Sequence, residues 1–289
     1  MDGLYEALSR KEAEHWGAKT RDSLNPQTWE DPVLHEVFFG EEERRFLTRV
    51  AAGGPNALEL GCGYGQHACE LNGRGIHVVG VDLSPARIRA ARLRAPRDGP
   101  RFLIGNLDTM RLPDGPFDTV YAHDALHHCV RLDHVVAEAH RVLRPGGALI
   151  VSDFQGASRA LRLLSAALVG ALPTIMPYSQ KWTLRRRLRA WIASEGEKRA
   201  ALERGHGSAL HDGSPFEGIS QESIVPAIAR RFRIVEHRTR LPFWWYVAPK
   251  LRLGRLRYPV ARVMRAWDDT LLMAGVRGAF FTVEAQRGD

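Results

Sequence analysis

The stretch Glu59-Leu60-Gly61-Cys62-Gly63-Tyr64-Gly65, followed seventeen residues later by Asp82, decides the fold of this chain. Ala57-Leu58-Glu59-Leu60 reads as a short buried strand, and the glycines after it as a tight turn. Gln66 to Asn72 then reads as the start of a helix. A turn of this kind lets backbone N–H groups and the positive end of a helix approach a ligand closely. Ile76-His77-Val78-Val79-Gly80-Val81 reads as a second strand ending at Asp82. A carboxylate at that strand end can accept both hydroxyls of a ribose. Together these residues predict a nucleoside-cofactor site in the first third of the chain.

The spacing narrows the cofactor. A dinucleotide fingerprint is G-x-G-x-x-G, whereas here it is G-x-G-x-G, with Gln66 where that fingerprint wants its last glycine. Glu59 stands two positions before the first glycine, where its charge repels a pyrophosphate and attracts an ammonium or a sulfonium. Both features disfavour a nicotinamide-dependent oxidoreductase. The run resembles the first motif of the class I S-adenosylmethionine (SAM) methyltransferases, E/D-x-G-x-G-x-G. The resemblance continues through Phe102-Leu103-Ile104-Gly105-Asn106-Leu107, a third strand and the loop that meets the adenine. Asn106 stands where many members carry Asp. Leu112-Pro113 and Phe117 to Ala122 supply the fourth strand and its lead-in, and His123-Asp124-Ala125-Leu126-His127-His128 follows at its end. Arg141 to Val151 reads as a helix end, a Pro-Gly-Gly turn and a fifth strand, a run similar to that of small-molecule members. The resemblance covers residues 57–153 closely. A looser likeness is to methyltransferases of bacterial natural-product and surface-glycan pathways.

The resemblance implies an α/β fold: a Rossmann-like seven-stranded sheet with the last strand antiparallel, a helical N-terminal lid and a helical cap insertion. The expected division is 1–52 for the lid, 53–154 for the SAM-binding core, 155–218 for the cap, and 219–289 for the rest of the core with an excursion between the last two strands. SAM is the implied cofactor. Its implied contacts are Glu59, Gly61, Cys62, Gly63, Gly65, Asp82, Leu83, Asn106, Leu107 and His123, with Glu59 near the ammonium, Asp82 on the ribose and Leu83 against the adenine.

Methyl transfer is an in-line displacement at a carbon already activated by the sulfonium. The protein aligns the partners and, for a neutral oxygen or nitrogen, removes a proton. The catalytic candidates are His123, Asp124, His127 and His128, clustered where the methyl group is expected. A histidine serves as base near neutral pH, and a carboxylate orients it. C-methylation would instead need a carboxylate or aromatic rings around a developing cation. O-, N- and C-methylation stay open at this point.

Alternation of strand and helix over residues 57–153 demands a parallel sheet covered on both faces. Ser84-Pro85 is a helix start, with Ser at the N-cap and Pro at the first helical position. Leu4 to Trp16 and Glu41 to Val50 read as lid helices joined by a loop with Asn25-Pro26 and Asp31-Pro32, and Trp16 and Trp29 as lid aromatics. In the cap, Leu161 to Val169 and Leu184 to Ile192 read as helices and Glu195 to Gly213 as a polar, Gly-rich stretch. A helix start at Ser220, strands at Phe232 to His237 and Ala279 to Glu284, and a helix from Tyr258 to Met273 complete the pass.

At 289 residues and 44% hydrophobic content the chain builds a packed core. Cys62, Cys69 and Cys129 form no C-x-x-C, which argues against a disulfide framework or a zinc site, predicts no metal, and suits a cytoplasmic protein. Met1 to Arg10 carries no apolar signal segment. Leu163 to Gln180, the longest uncharged run, is broken by Pro173 and Pro177 and is not a membrane span. The net charge is +8, and Ala227 to Arg265 holds eleven Arg or Lys against one acid, Glu236. That imbalance suits an anionic partner. No N/D-P-P-Y or Pro-Cys motif of the DNA enzymes is present. Arg185-Arg186-Arg187 and the basic C-terminal third keep RNA or a lipid-linked glycan open as acceptors. A non-catalytic SAM-fold subunit is the other alternative. The preferred partner is a small-molecule acceptor with a greasy body and an anionic group, to which the apolar cap and Phe243-Trp244-Trp245-Tyr246 are suited; loose attachment to an anionic membrane surface fits the same chemistry.

Overall fold

The computed structural model describes residues 2–18, 31–175, 192–204, 210 and 214–288. Its centre is one sheet of β1 (Asn56–Leu60), β2 (His77–Asp82), β3 (Arg101–Ile104), β4 (Phe117–His123), β5 (Leu143–Phe154), β6 (Arg233–Arg240) and β7 (Phe280–Gln286). The spatial order is β3-β2-β1-β4-β5-β7-β6. Only β7 runs antiparallel to its neighbours, β5 and β6; the other pairings are parallel. The expected fold class is therefore the observed one.

Successive residues of a strand point to opposite faces, so a sheet covered on both sides needs apolar residues at every position. Ala57 faces one core and Leu58 the other. The first core is closed by α3 (Glu41–Ala52), α4 (Gln66–Gly73) and α5 (Pro85–Arg94), through Phe46, Leu47, Val50, Leu71 and Ile88. The second is closed by α6 (Leu132–Val142) and α9 (Ile224–Ala229), through Leu132, Val135, Val136, Ile224 and Ile228. Each such side chain contributes about 1.5–3 kcal/mol on burial. The remaining α-helices among the described residues are α1 (Asp2–Ala18), α2 (Pro32–His35), α7 (Arg159–Ala171), α8 (Glu195–Glu203), α10 (Trp244–Val247) and α11 (Arg257–Met273).

Several elements differ from expectation. The segment before α3 is helical from Pro32: Asp31 caps α2 through Val33 N and Leu34 N, and a π-turn at Glu36–Gly40 runs straight into α3. β5 begins at Leu143 and includes the Pro-Gly-Gly segment, because Gly146 N and Arg287 O, and Arg287 N and Gly147 O, pair across it. The polar stretch expected from Glu195 begins as α8, held by a capping box in which Ser194 and Glu197 each accept from the other's backbone N–H. The helix expected at Ser220 starts only at Ile224, after a turn. Asn25-Pro26, Trp29, residues 184–191 and Arg185 to Arg187 lie outside the described residues. Among the described residues, no helix is long and apolar enough to cross a membrane.

Candidate active site

The strand order reverses between β1 and β4, and ligands of open α/β sheets bind outside the carboxyl ends of the strands at such a point. A cleft opens there. The turn after β1 needs left-handed backbone at Gly61 (φ 76°) and Gly65 (φ 71°). A Cβ on Gly61 would lie 2.4 Å from Ala125 Cβ, and one on Gly65 2.4 Å from the Phe102 ring. The turn is anchored to β2: Gly61 N and Cys62 N donate to Val81 O at 2.8 and 2.9 Å, and Gly63 N donates to Asp82 Oδ2 at 2.9 Å. These amides therefore fix the turn rather than face the cleft. Asp82 Oδ1 accepts from Ser84 N at 2.8 Å, and Ser84 caps α5. Each Asp82 oxygen keeps a second lone pair for a ligand.

Gly61, Asp82, Leu83, Asn106 and Leu107 line one wall of the cleft; Asp124, Ala125 and His128 line another. Helix α1 forms the roof with Tyr5, Glu12 and Trp16. Its seat is polar and specific. Tyr5 Oη donates to Asp108 Oδ2 at 2.8 Å, and Asn106 Nδ2 donates to Tyr5 Oη at 3.0 Å. Arg87 Nε donates to Trp16 O at 3.0 Å while its guanidinium lies 4.6 Å from the Trp16 ring centre. The expected covering of the cofactor site by the N-terminal segment thus has a structural counterpart in α1.

Of the cofactor residues expected from sequence, Gly61, Asp82, Leu83, Asn106 and Leu107 lie in the cleft wall. Gly63 and Gly65 shape the turn. Cys62 is buried and packs beneath it, where burial pushes its thiol well up, so it is no nucleophile. Glu59 is buried behind the turn, with Oε1 3.6 Å from His67 Nδ1 and Oε2 unpartnered. His67 also bonds Glu43 at 2.8 Å. Burial opposes the charge of His67, but these two carboxylates lift it to about 10, and the His67 bond holds Glu43 down at about 2.

The four catalytic candidates separate. His123 turns away from the cleft, against Phe46 and His67; burial and then the His67 charge push it down to about 3. Asp124 has left-handed backbone (φ 48°), rare for a non-glycine residue, and its Oδ1 is buried without a partner. Burial and the nearby Asp153 raise its carboxyl to about 6. His127 lies behind the wall, with Nδ1 2.5 Å from Asp153 Oδ1. Burial opposes its charge, yet Asp153 lifts it to about 9. His128 reaches the cleft, with Nδ1 3.0 Å from Glu12 Oε1 and its ring edge-on to Trp16.

Three acidic residues of this site, Asp153, Glu12 and Glu217, are absent from the sequence-based set. Asp153 is the penultimate residue of β5, is fully buried, and accepts from Leu126 N (2.7 Å) and Phe154 N (2.6 Å) as well as facing His127. Its place at the carboxyl end of a parallel strand was the available signal. Glu12 of α1 accepts from Trp16 Nε1 (2.6 Å), Ser214 Oγ (2.7 Å) and Phe216 N (3.2 Å). Burial would raise its carboxyl, but His128 and these donors hold it at about 2. Glu217 faces both histidines, and no local sequence signal marks it. The aromatics Trp245, Phe154 and Phe280 pack on one another, with Trp245 4.8 Å from Phe280, and none of the three lines the cleft.

A nucleoside with a cationic amino-acid end fits these residues: Asp82 and Asn106 offer polar groups for ribose and base, and the orphaned Asp124 oxygen awaits a donor or cation. Comparison with known proteins agrees. Residues 58–151 match a family model described as a methyltransferase domain. The 27-O-demethylrifamycin SV methyltransferase of Amycolatopsis mediterranei is 31% identical over 160 residues, covering 52% of this chain and 56% of that protein. Methyltransferase GfsG of Streptomyces halstedii is 30% identical over 166 residues, covering 52% of this chain and 60% of that protein. The chain thus spans little more than half the length of these relatives. The geranyl diphosphate C-methyltransferase of Streptomyces coelicolor shares the fold over 97% of this chain and 98% of its own, at 15% identity and TM-score 0.53. A putative methyltransferase from a Haloferax volcanii activator complex does so over 97% and 98%, at 17% identity and TM-score 0.52. Residues 58–151 thus resemble a methyltransferase domain, and the chain shares its fold with known methyltransferases.

Proposed function

We propose that the protein transfers the methyl group of SAM to a small-molecule acceptor of bacterial specialised metabolism. The observation that carries this reading is the cleft at the strand reversal, with Asp82, Leu83 and Asn106 on one wall and Asp124 and His128 on the other. SAM held in this cleft would supply an electrophilic methyl carbon, with its sulfur as the leaving group that keeps the bonding electron pair. Asp82 would accept the ribose hydroxyls, Leu83 would pack on the adenine, and Asn106 would bond a base edge. Asp124 would offer its free oxygen to the cationic end. Helix α1 closes the cleft and excludes water. His128 reaches the cleft and would stand beside the acceptor, while Glu12 faces its Nδ1. The identity to the 27-O-demethylrifamycin SV methyltransferase supports a small-molecule acceptor of this kind, because that enzyme is named for methylating a small molecule.

The test is transfer of label from methyl-labelled SAM into the organic extract of a producing bacterium. Label in a discrete small molecule, absent with Asp82→Ala protein, is the expected result. SAM bound without label transfer to any small molecule, RNA or lipid-linked glycan would leave the non-catalytic alternative.

A further inference from the structure

Beneath the cleft, three side chains able to ligate a metal converge. His127 and His128 lie on the single turn after β4, and Glu217 comes from the turn at 215–218. His127 Nε2 stands 3.7 Å from Glu217 Oε1, and His128 Nε2 stands 3.9 Å from Glu217 Oε2. One ligand atom from each of the three lies within 4.8 Å of the others. These separations are too long for hydrogen bonds. They are close to the spacing of ligand atoms about one ion, roughly 3.3–3.6 Å for a tetrahedral ion bound at about 2.0–2.2 Å.

The second observation is how each ring is turned. His127 Nδ1 is held by buried Asp153 at 2.5 Å, and His128 Nδ1 faces buried Glu12 at 3.0 Å. A carboxylate on Nδ1 orients the ring, so that an ion displacing the Nε2 proton would find Nε2 turned towards it. Both Nε2 atoms then face the same carboxylate. Asp153 hydrogen-bonds the His127 ring, Glu12 stands near Nδ1 of His128 without a hydrogen bond, and the two rings converge on one carboxylate.

We propose that His127, His128 and Glu217 bind one divalent transition-metal ion of the zinc class. Two imidazoles and one carboxylate favour such an ion over magnesium, which takes oxygen ligands. Three protein ligands would leave a fourth position open; of the three, His128 lines the cleft, as does Phe216, the residue before Glu217. The metal site stands on its own geometry. Its use rests on the methyl-transfer reading: an acceptor oxygen bound at the fourth position would lose its proton more readily.

The experiment uses the full chain, untagged and stripped with a chelator, titrated with cobalt(II) and followed by visible absorption. One equivalent of cobalt should bind with intense low-symmetry ligand-field bands, and zinc should displace it. Glu217→Ala and His128→Ala should each weaken binding at least tenfold, and Asp153→Asn about 10–100-fold. His77→Ala, an exposed histidine elsewhere, should leave binding unchanged. SAM affinity is measured calorimetrically on the same samples. Absence of stoichiometric uptake by the parent protein, or uptake that Glu217→Ala and His128→Ala leave intact, would overturn the metal site. Metal uptake without SAM binding would instead overturn the cofactor reading alone.

Discussion

At the residue scale, the turn after β1 tolerates little. Gly61→Ala adds a methyl group 2.4 Å from Ala125 Cβ at a φ of 76°. The left-handed conformation alone costs about 1–2 kcal/mol for a residue with a Cβ. Because Ala125 lines the cleft, the displacement should also lower SAM affinity by tenfold or more. Urea unfolding and calorimetry would read the two effects, and an unchanged SAM affinity would exclude Gly61 from the site. His67 makes a separate, pH-dependent prediction. Its folded value is raised from 6.5 to about 10, so its stabilisation is full below 6.5 and is lost as pH rises towards 10. Glu43 is lowered from 4.5 to about 2, so its share is full above 4.5 and is lost as pH falls towards 2. The pair should therefore contribute most between about pH 4.5 and 6.5. His67→Gln should flatten the decline of stability between pH 7 and 10 in denaturant titrations; an unaltered slope would contradict the pairing.

At the scale of elements, α1 joins the core through Glu12, which gathers Trp16, Ser214, Phe216 and His128 around one carboxylate. Glu12→Ala would leave buried donors unpaired, each at a cost of about 1–3 kcal/mol. The expected outcome is faster SAM release in stopped-flow fluorescence of Trp16, with the sheet still folded by circular dichroism. A release rate equal to that of the parent would mean that α1 is no lid. The strands over residues 57–153 were legible because sheets covered on both faces write continuous apolar runs bounded by turns. Helix α8 was missed although Ser194 and Glu197 carry its capping signature, since the Gly-rich composition beyond it suggested a loop. The cleft wall was legible because Gly61, Asp82 and Asn106 stand at or just after the ends of successive strands. Asp153, Glu12 and Glu217 were not, because their roles arise only when segments up to 204 residues apart are folded together.

At the scale of the whole molecule, charge and apolar surface separate. Among the described residues, the aromatic cluster of the β6–β7 excursion turns inward and fills the core, so it does not by itself define a greasy acceptor. The net charge of +8 remains, and it predicts salt sensitivity if the acceptor is anionic: turnover should fall as salt rises from 0.05 to 0.5 M on the order of the screening length shrinking to a few ångströms. Constant turnover over that range would assign the basic surface to solvation alone.

In the proposed reading the cleft between β1 and β4 is a SAM site organised by Asp82. Calorimetric titration of the parent protein and of Asp82→Ala with SAM, and of the parent with NAD, tests it most directly. One SAM should bind per chain, NAD should not bind, and loss of the Asp82 hydrogen bonds, worth about 1.5–3 kcal/mol, should weaken SAM by roughly ten- to a hundredfold in a folded variant. Equal SAM affinity in the two proteins, or binding of NAD in place of SAM, would contradict the account.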